Sequence, residues 1–234
     1  MTHIAFLIYP GFTALDAVGP YEVLSRLPKT RVTFVASKPG PVRTDTGALL
    51  VHAEAGIAEV PAPDIFLVPG GLSASIAAAK DAELIDWVRG AHATTEWSVS
   101  VCTGALLLGA AGLLDGQPAT THWAARDRLT HYGATYVPER VVRSGRVITA
   151  AGVSAGIDMA LGLAAELGGT PMAEAIQLLM EYDPQPPFEA GSLAAASSET
   201  VSHATRLLRT AALRDVGRRF LRKDPKARPA TLER

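Results

Sequence analysis

WSVSVCTGALLLGAAGLL, residues 97–114, is the stretch whose reading decides the fold. It carries no charge and is roughly as long as a membrane-spanning helix. Ser98, Ser100, Thr103, Gly104, Gly109 and Gly112 interrupt it, however, and its two halves differ in kind. The first half alternates β-branched residues with serine, and the second is built of Ala, Leu and Gly. It reads as a buried strand, Trp97–Val101, handing over to a buried helix, Thr103–Leu114, and not as a membrane span.

The same alternation extends in both directions. Upstream, Asp64–Val68 (DIFLV) is a continuous apolar run of the kind a parallel strand buried on both faces gives, and Pro69-Gly70-Gly71 ends it. His3–Tyr9 and Arg31–Ala36 read as two more strands, and Ala48–Ala53 as a hairpin arm off the main sheet. Asp16–Leu27 and Asp81–Ala91 carry apolar residues at helical spacing. Downstream, the pattern predicts a helix over Thr121–Tyr132 and short strands at Thr135–Val137, Val141–Arg143 and Val147–Ala150. Helices follow over Ala155–Leu167, Pro171–Tyr182 and Ser197–Leu213, the last with Ser197 or Ser198 as its N-cap. Strands alternating with helices define an α/β fold: a mostly parallel sheet with helices on both faces.

At 234 residues, 48% hydrophobic and 19% charged, the chain can bury one sizeable core. The expected organisation is an α/β domain over residues 1–192 and a helical extension over 193–234 with a basic end. From His203 to Arg234 the formal charge is +7, which leaves −8 on the rest. Such a tail reads either as a nucleic-acid or anionic-surface binder or as a solvated helix face. A lone cysteine, Cys102, excludes an internal disulfide and a multi-cysteine zinc site. MTHIAFLIYPGF lacks a basic n-region and a small-residue cleavage site, so no signal peptide and a cytoplasmic location are expected. No GxxxxGK[ST], GxGxxG or HExxH pattern occurs, so nothing in the sequence supports use of ATP, a dinucleotide or a metal.

Ligands of such sheets bind at the carboxyl ends of the strands. Three strand ends therefore matter together: Pro10–Asp16, Pro69–Ser73 and Cys102–Gly104. Cys102 reads either as a small buried hydrophobe or as a nucleophile on a tight strand-to-helix turn, its thiolate favoured by the following helix N-terminus. Asp16 is either an N-cap or a proton-carrying carboxyl beside the sulfur. The turn at Gly70 and Gly71 is a plain connection or a source of amide groups for an anion. His122, with Trp123, is either structural or a proton-transfer partner of the cysteine lining its pocket. Val153, Ile157 and Phe188, like Trp123, read equally as pocket lining and as core.

FTALDAVGPYEVL, DIFLVPGG, SVCTGALLLGAAGLLDG, TTHWA, AAGVSAGIDMAL and EYDPQPPF together resemble the ThiJ/PfpI superfamily, related to class I glutamine amidotransferases. Within it they are most similar to the isocyanide hydratase branch, over about residues 3–192. The resemblance implies a flavodoxin-like sandwich, a homodimer, no cofactor, and Cys102 as nucleophile accompanied by Asp16 and Thr103. It implies that the Gly71 and Thr103 amides stabilise an anion, and Thr103 is expected to hold Asp16 or a water through its hydroxyl. Thr103 stands where protease-like members place histidine, which speaks against peptidase activity. Asp16 stands where the oxidative-stress and glyoxalase-like members carry glutamate. The expected reaction is hydration of a small-molecule isocyanide. The rival expectations are another thiol enzyme, such as a glyoxalase or amidase, and a ligand-sensing regulator of the AraC-type branch. Forty-six residues follow PQPPF, too few for the two helix-turn-helix motifs of such a regulator, so no nucleic-acid partner is expected, and the strand-and-helix reading of residues 97–114 leaves no membrane partner expected either.

Overall fold

A computed structural model describes the backbone of residues 1–223 and the side chains of residues 1–213. Part of the basic tail therefore lies outside the described residues. In chain order the elements are β1 (Thr2–Leu7), α1 (Ala14–Leu24), β2 (Thr30–Ala36), β3 (Gly40–Arg43), β4 (Leu50–Ala53), β5 (Ala55–Gly56) and β6 (Ile65–Val68). They continue with α2 (Ser73–Ala78), α3 (Ala82–Thr94), β7 (Trp97–Val101), α4 (Ala105–Ala110), β8 (Pro118–Ala119), α5 (Arg126–Thr130) and β9 (Thr135–Tyr136). The last are β10 (Val141–Ser144), β11 (Val147–Ala150), α6 (Ala155–Gly168), α7 (Thr170–Leu179) and α8 (Ser198–Lys223).

Seven strands form one sheet in the order β10-β11-β7-β6-β1-β2-β5. All neighbours are parallel except the β10–β11 hairpin at one edge. The two central strands β1 and β6 bury nearly every side chain, because both faces are covered by helices. β4 pairs with β3 as a hairpin outside the main sheet, as its weak alternation predicts. Among the described residues no helix is long and apolar enough to cross a membrane, and residues 97–114 divide into β7, a single 3-10 turn, α4 and a closing turn, so the helix expected over Thr103–Leu114 is only six residues long.

A second expected helix is also shorter than its pattern. Thr121–Tyr132 holds a 3-10 turn at Trp123–Ala125 and one and a half turns of helix in α5. The segment before them is pinned to the sheet instead: the Thr120 amide donates to Thr149 Oγ1 at 2.9 Å, and Thr121 Oγ1 donates to the Cys102 carbonyl at 2.9 Å. The chain divides into two compact units, Met1–Pro184 and Gln185–Arg234, eight residues earlier than the expected boundary. The first holds the sheet and α1–α7. The second holds α8, whose first turn is capped by Ser197 Oγ accepting from the Thr200 amide at 3.2 Å.

Candidate active site

Strand β7 carries Cys102 to the carboxyl end of the sheet, as its position after WSVSV predicts. There the backbone turns sharply: Cys102 has φ of +57°, a left-handed conformation that costs an L-residue energy and is held by its surroundings. Gly104 makes the turn possible. A Cβ at Gly104 would stand 2.1 Å from the Val68 carbonyl oxygen, so only glycine lets the turn lie on β6. The following residues form a 3-10 turn before α4, which is only six residues long.

Asp16 reaches the same place from α1. Thr13, not Asp16, stands at the N-cap position, its hydroxyl turned to Asp45 rather than to the helix, and Asp16 lies in the first helical turn with its carboxyl buried. The Thr13 amide donates to the Gly70 carbonyl at 2.8 Å, which ties the start of α1 to the turn after β6. The Gly70 amide in turn donates to Asp16 Oδ2 at 2.9 Å. A Cβ on Gly70 would meet Asp16 Oδ2 at 2.7 Å, the Thr103 nitrogen at 2.7 Å and Cys102 Cβ at 2.8 Å. Gly70 is thus the floor on which carboxyl and thiol meet.

Both groups are sealed from solvent: Asp16 is 0% and Cys102 1% exposed. Burial raises the Asp16 pKa from 3.8 to about 7, against the pull of the Gly70 amide and the Cys102 thiol. Burial also raises the Cys102 thiol well above its ordinary value, and the neighbouring Asp16 charge raises it further. The carboxyl interacts with the thiol, yet Asp16 Oδ1 has no well-directed hydrogen-bond partner. Burial therefore opposes the expected thiolate, its desolvation outweighing the pull of the amides.

Two amides do face the sulfur, those of Thr103 and Val153. Val153 meets the sulfur through its backbone amide, while its side chain packs partly buried against the core. It stands at φ of +32°, a strained conformation for a β-branched residue, in the turn between β11 and α6. A backbone donor leaves no side-chain signature, and the motif AAGVSAG was the only sequence trace of it.

The amides of the Gly70–Leu72 turn are otherwise occupied. Those of Gly71 and Leu72 both donate to Thr103 Oγ1, at 3.0 and 3.1 Å, and Ser75 Oγ lies 2.7 Å from the same oxygen. Ser75 Oγ is 2.9 Å from the Tyr9 hydroxyl, which donates to the Pro69 carbonyl at 2.7 Å. Two expectations are corrected here. The Gly71 amide is engaged by Thr103, and the Thr103 hydroxyl holds the turn rather than Asp16. Sequence reading missed Tyr9 and Ser75, which complete this buried network.

His122 lies against the turn that carries Val153: a Cβ on Gly152 would meet His122 Cδ2 at 2.8 Å. Its ring stacks near Trp123, with centroids 5.3 Å apart, and its Nδ1 accepts from the Ala124 amide at 3.2 Å. Burial lowers its pKa, so it is neutral at pH 7. Ile157 packs against Gly19 where α6 crosses α1, with 3.0 Å to a Cβ built there. Phe188 is 78% exposed and belongs to the second unit.

A doubly wound parallel sheet with a cysteine on a strained turn and an acid from the first helix beside it defines the class: α/β proteins of the ThiJ/PfpI kind, built to present a thiol at a strand end. The chain belongs to the DJ-1/PfpI family, whose model matches residues 2–166. It is 44% identical to the isonitrile hydratase of Pseudomonas putida over 86% of this chain and 87% of that protein. It is 30% identical to the HTH-type transcriptional regulator CdhR of Pseudomonas aeruginosa, over 72% of this chain and 51% of the regulator. A solved ThiJ/PfpI family protein from Pseudomonas syringae superposes with a TM-score of 0.86 at 39% identity, covering 92% of this chain and 88% of that one.

Proposed function

We propose that the protein is an isocyanide hydratase, which adds water to R–N≡C to give the N-substituted formamide R–NH–CHO, with Cys102 as nucleophile and Asp16 as proton carrier. The observation that carries the reading is the sealed Asp16–Cys102 pair, in a chain closely similar to an isonitrile hydratase over nearly its whole length. The regulator is less similar and is matched over about half its own length.

The chemistry follows from where the proton rests. With Asp16 near 7, a good share of molecules at neutral pH hold a carboxylate beside a protonated thiol. As the sulfur attacks the terminal isocyanide carbon, Asp16 takes the thiol proton and delivers it to that same carbon. A C–S and a C–H bond form, and the product is a thioimidate, R–N=CH–S–Cys102. The Thr103 and Val153 amides stabilise the sulfur as it becomes negative. Asp16, again a carboxylate, then takes a proton from water as its oxygen adds to the carbon, and passes that proton to the nitrogen. Collapse breaks the C–S bond, releases the formamide and returns the second water proton to the thiol. One carboxyl serves both halves because its pKa lies near the working pH.

The same reading includes a homodimer in a reducing cytoplasm. Leu15 of α1 and Leu178 and Leu179 of α7 are 43%, 78% and 70% exposed, apolar side chains that a second copy would cover. Light scattering at twice the chain mass supports the dimer, and a monomer removes it.

The test mixes the protein with a small aliphatic isocyanide and follows formamide by NMR, with methylglyoxal as the rival substrate. Formamide with a mass adduct on Cys102 supports the proposal. Methylglyoxal turnover without formamide overturns it.

A further inference from the structure

The strained Gly152–Ser154 turn is held from outside the site. Arg140, just before β10, donates through Nε to Asp158 Oδ2 and through Nη2 to Ser154 Oγ at 3.2 Å. Tyr182, just past the end of α7, donates its hydroxyl to Asp158 Oδ1 at 2.6 Å. The Arg140 carbonyl accepts from the Ala151 amide at 2.9 Å, and the Ala151 carbonyl accepts from the Cys102 amide at 3.0 Å. One residue therefore grips the turn on both sides: its backbone at Ala151, its guanidinium at Ser154. Between these two points lies Val153, whose amide faces the Cys102 sulfur.

The turn needs such a grip. Its own hydrogen bonds at the start of α6 are long, 3.3 Å from the Ala155 amide to the Gly152 carbonyl and 3.3 Å from the Gly156 amide to the Val153 carbonyl. Ser154 occupies the N-cap position but makes no capping bond to α6, and its hydroxyl is turned to Arg140 instead. Left to itself, a Val at positive φ relaxes, and its amide moves off the sulfur.

We propose that Arg140, braced by Asp158 and Tyr182, is a positioning residue that holds the Val153 amide on the Cys102 sulfur and so makes the thiol easier to ionise. It touches neither substrate nor sulfur and acts through the turn. The proposal builds on the assignment of Cys102 as nucleophile, but its readout is the thiol alone. A failed isocyanide assay therefore leaves it standing, and its own failure leaves the hydration reading untouched.

Because Cys102 is the only cysteine, alkylation by iodoacetamide reports on it without ambiguity. The measurement is the pH at which the alkylation rate reaches half its plateau. Arg140→Gln is expected to move that pH upward by about half a unit or more, since a hydrogen bond to the charged form is lost. Arg140→Lys, which keeps the Asp158 partner but not the fork, falls between. Asp158→Asn separates positioning from simple charge. Removing an anion would lower the midpoint by electrostatics alone, whereas a loosened turn raises it. Arg143→Gln is the control: Arg143 pairs with Glu166 at 3.1 Å near the far end of α6 and does not touch the turn. Tyr182→Phe, which deletes a single hydroxyl, serves should the arginine variant fail to fold, and is expected to give a smaller upward shift. Upward shifts in Arg140→Gln and Asp158→Asn with none in Arg143→Gln support the proposal. An unchanged midpoint in Arg140→Gln (or in Tyr182→Phe in its stead), a downward shift in Asp158→Asn, or an equal shift in Arg143→Gln overturns it.

Discussion

The carboxyl group of Asp16 and the thiol of Cys102 come together from the first helix and a central strand into one solvent-free space, where the charge on either disfavours charge on the other. Only one negative charge is comfortable there, so the pair behaves as a single proton reservoir. Removing the acid should have two opposite consequences. Asp16→Asn is expected to lower turnover of an isocyanide by about 100-fold or more, the scale of a lost acid–base group. It should also let Cys102 be alkylated at lower pH than in the unaltered protein, because the Asp16 charge that raises the thiol is gone. Steady-state kinetics and the alkylation pH profile check the two arms. Cys102→Ala should abolish both turnover and any mass adduct.

The raised Asp16 pKa carries a stability cost with a definite sign. Unfolded, the group ionises near 3.8, and folded, near 7, so the folded state binds the extra proton between those values. The contribution of the neutral carboxyl is full below about pH 4, declines as pH rises, and is gone above about pH 7. From pH 5 to pH 8 the protein should lose on the order of a few kcal/mol through this residue. Asp16→Asn, which cannot ionise, should lose less over the same range. Urea denaturation at the two pH values measures the difference.

The strands were legible because burial on both faces writes an unbroken apolar run, as in Ile65–Val68, and Cys102 and Asp16 were legible because the strand ends are where a parallel sheet offers a ligand room. What escaped had no periodic trace. Helix α2 is only six residues of SASIAA, too short to show a face. The segment from Thr121 has apolar spacing fit for a helix, but the bonds from the Thr120 amide to Thr149 Oγ1 and from the Thr121 hydroxyl to the Cys102 carbonyl outcompete it. The donors on the sulfur are backbone groups, and those any residue could supply. Thr103 was found, though its duty was misread, since a hydroxyl in sequence does not say which of several amides it will meet.

Thr103 should separate shape from polarity. Thr103→Val keeps the volume but leaves the Gly71 and Leu72 amides and the Ser75 hydroxyl without their shared partner. Orphaned buried donors of this kind cost about 1–3 kcal/mol each. The variant is therefore expected to be destabilised and to lose activity, as the Gly70 floor under Asp16 loosens with the turn. Thr103→Ser retains the oxygen and should restore most of both. Thermal unfolding and kcat, measured together on the two variants, give the comparison.

Gly70 and Gly104 should respond differently to the same added methyl group. At Gly104 the new carbon would lie 2.1 Å from the Val68 oxygen and 2.9 Å from the Pro69 oxygen. Both obstacles are backbone of the central sheet and its exit, so nothing can give without moving β6. Gly104→Ala is expected to cost more than about 3 kcal/mol and to yield little folded protein. At Gly70 the obstacles are the Asp16 carboxyl oxygen, which can swing away, and the Thr103 nitrogen and Cys102 Cβ, atoms of the turn after β7 rather than of the central sheet. Gly70→Ala should therefore fold more readily yet lose catalysis, because the shift it forces separates the proton carrier from the sulfur it serves. Circular dichroism alongside formamide production distinguishes the two outcomes, and the ordering fails if Gly70→Ala proves as active as the unaltered protein or Gly104→Ala as stable.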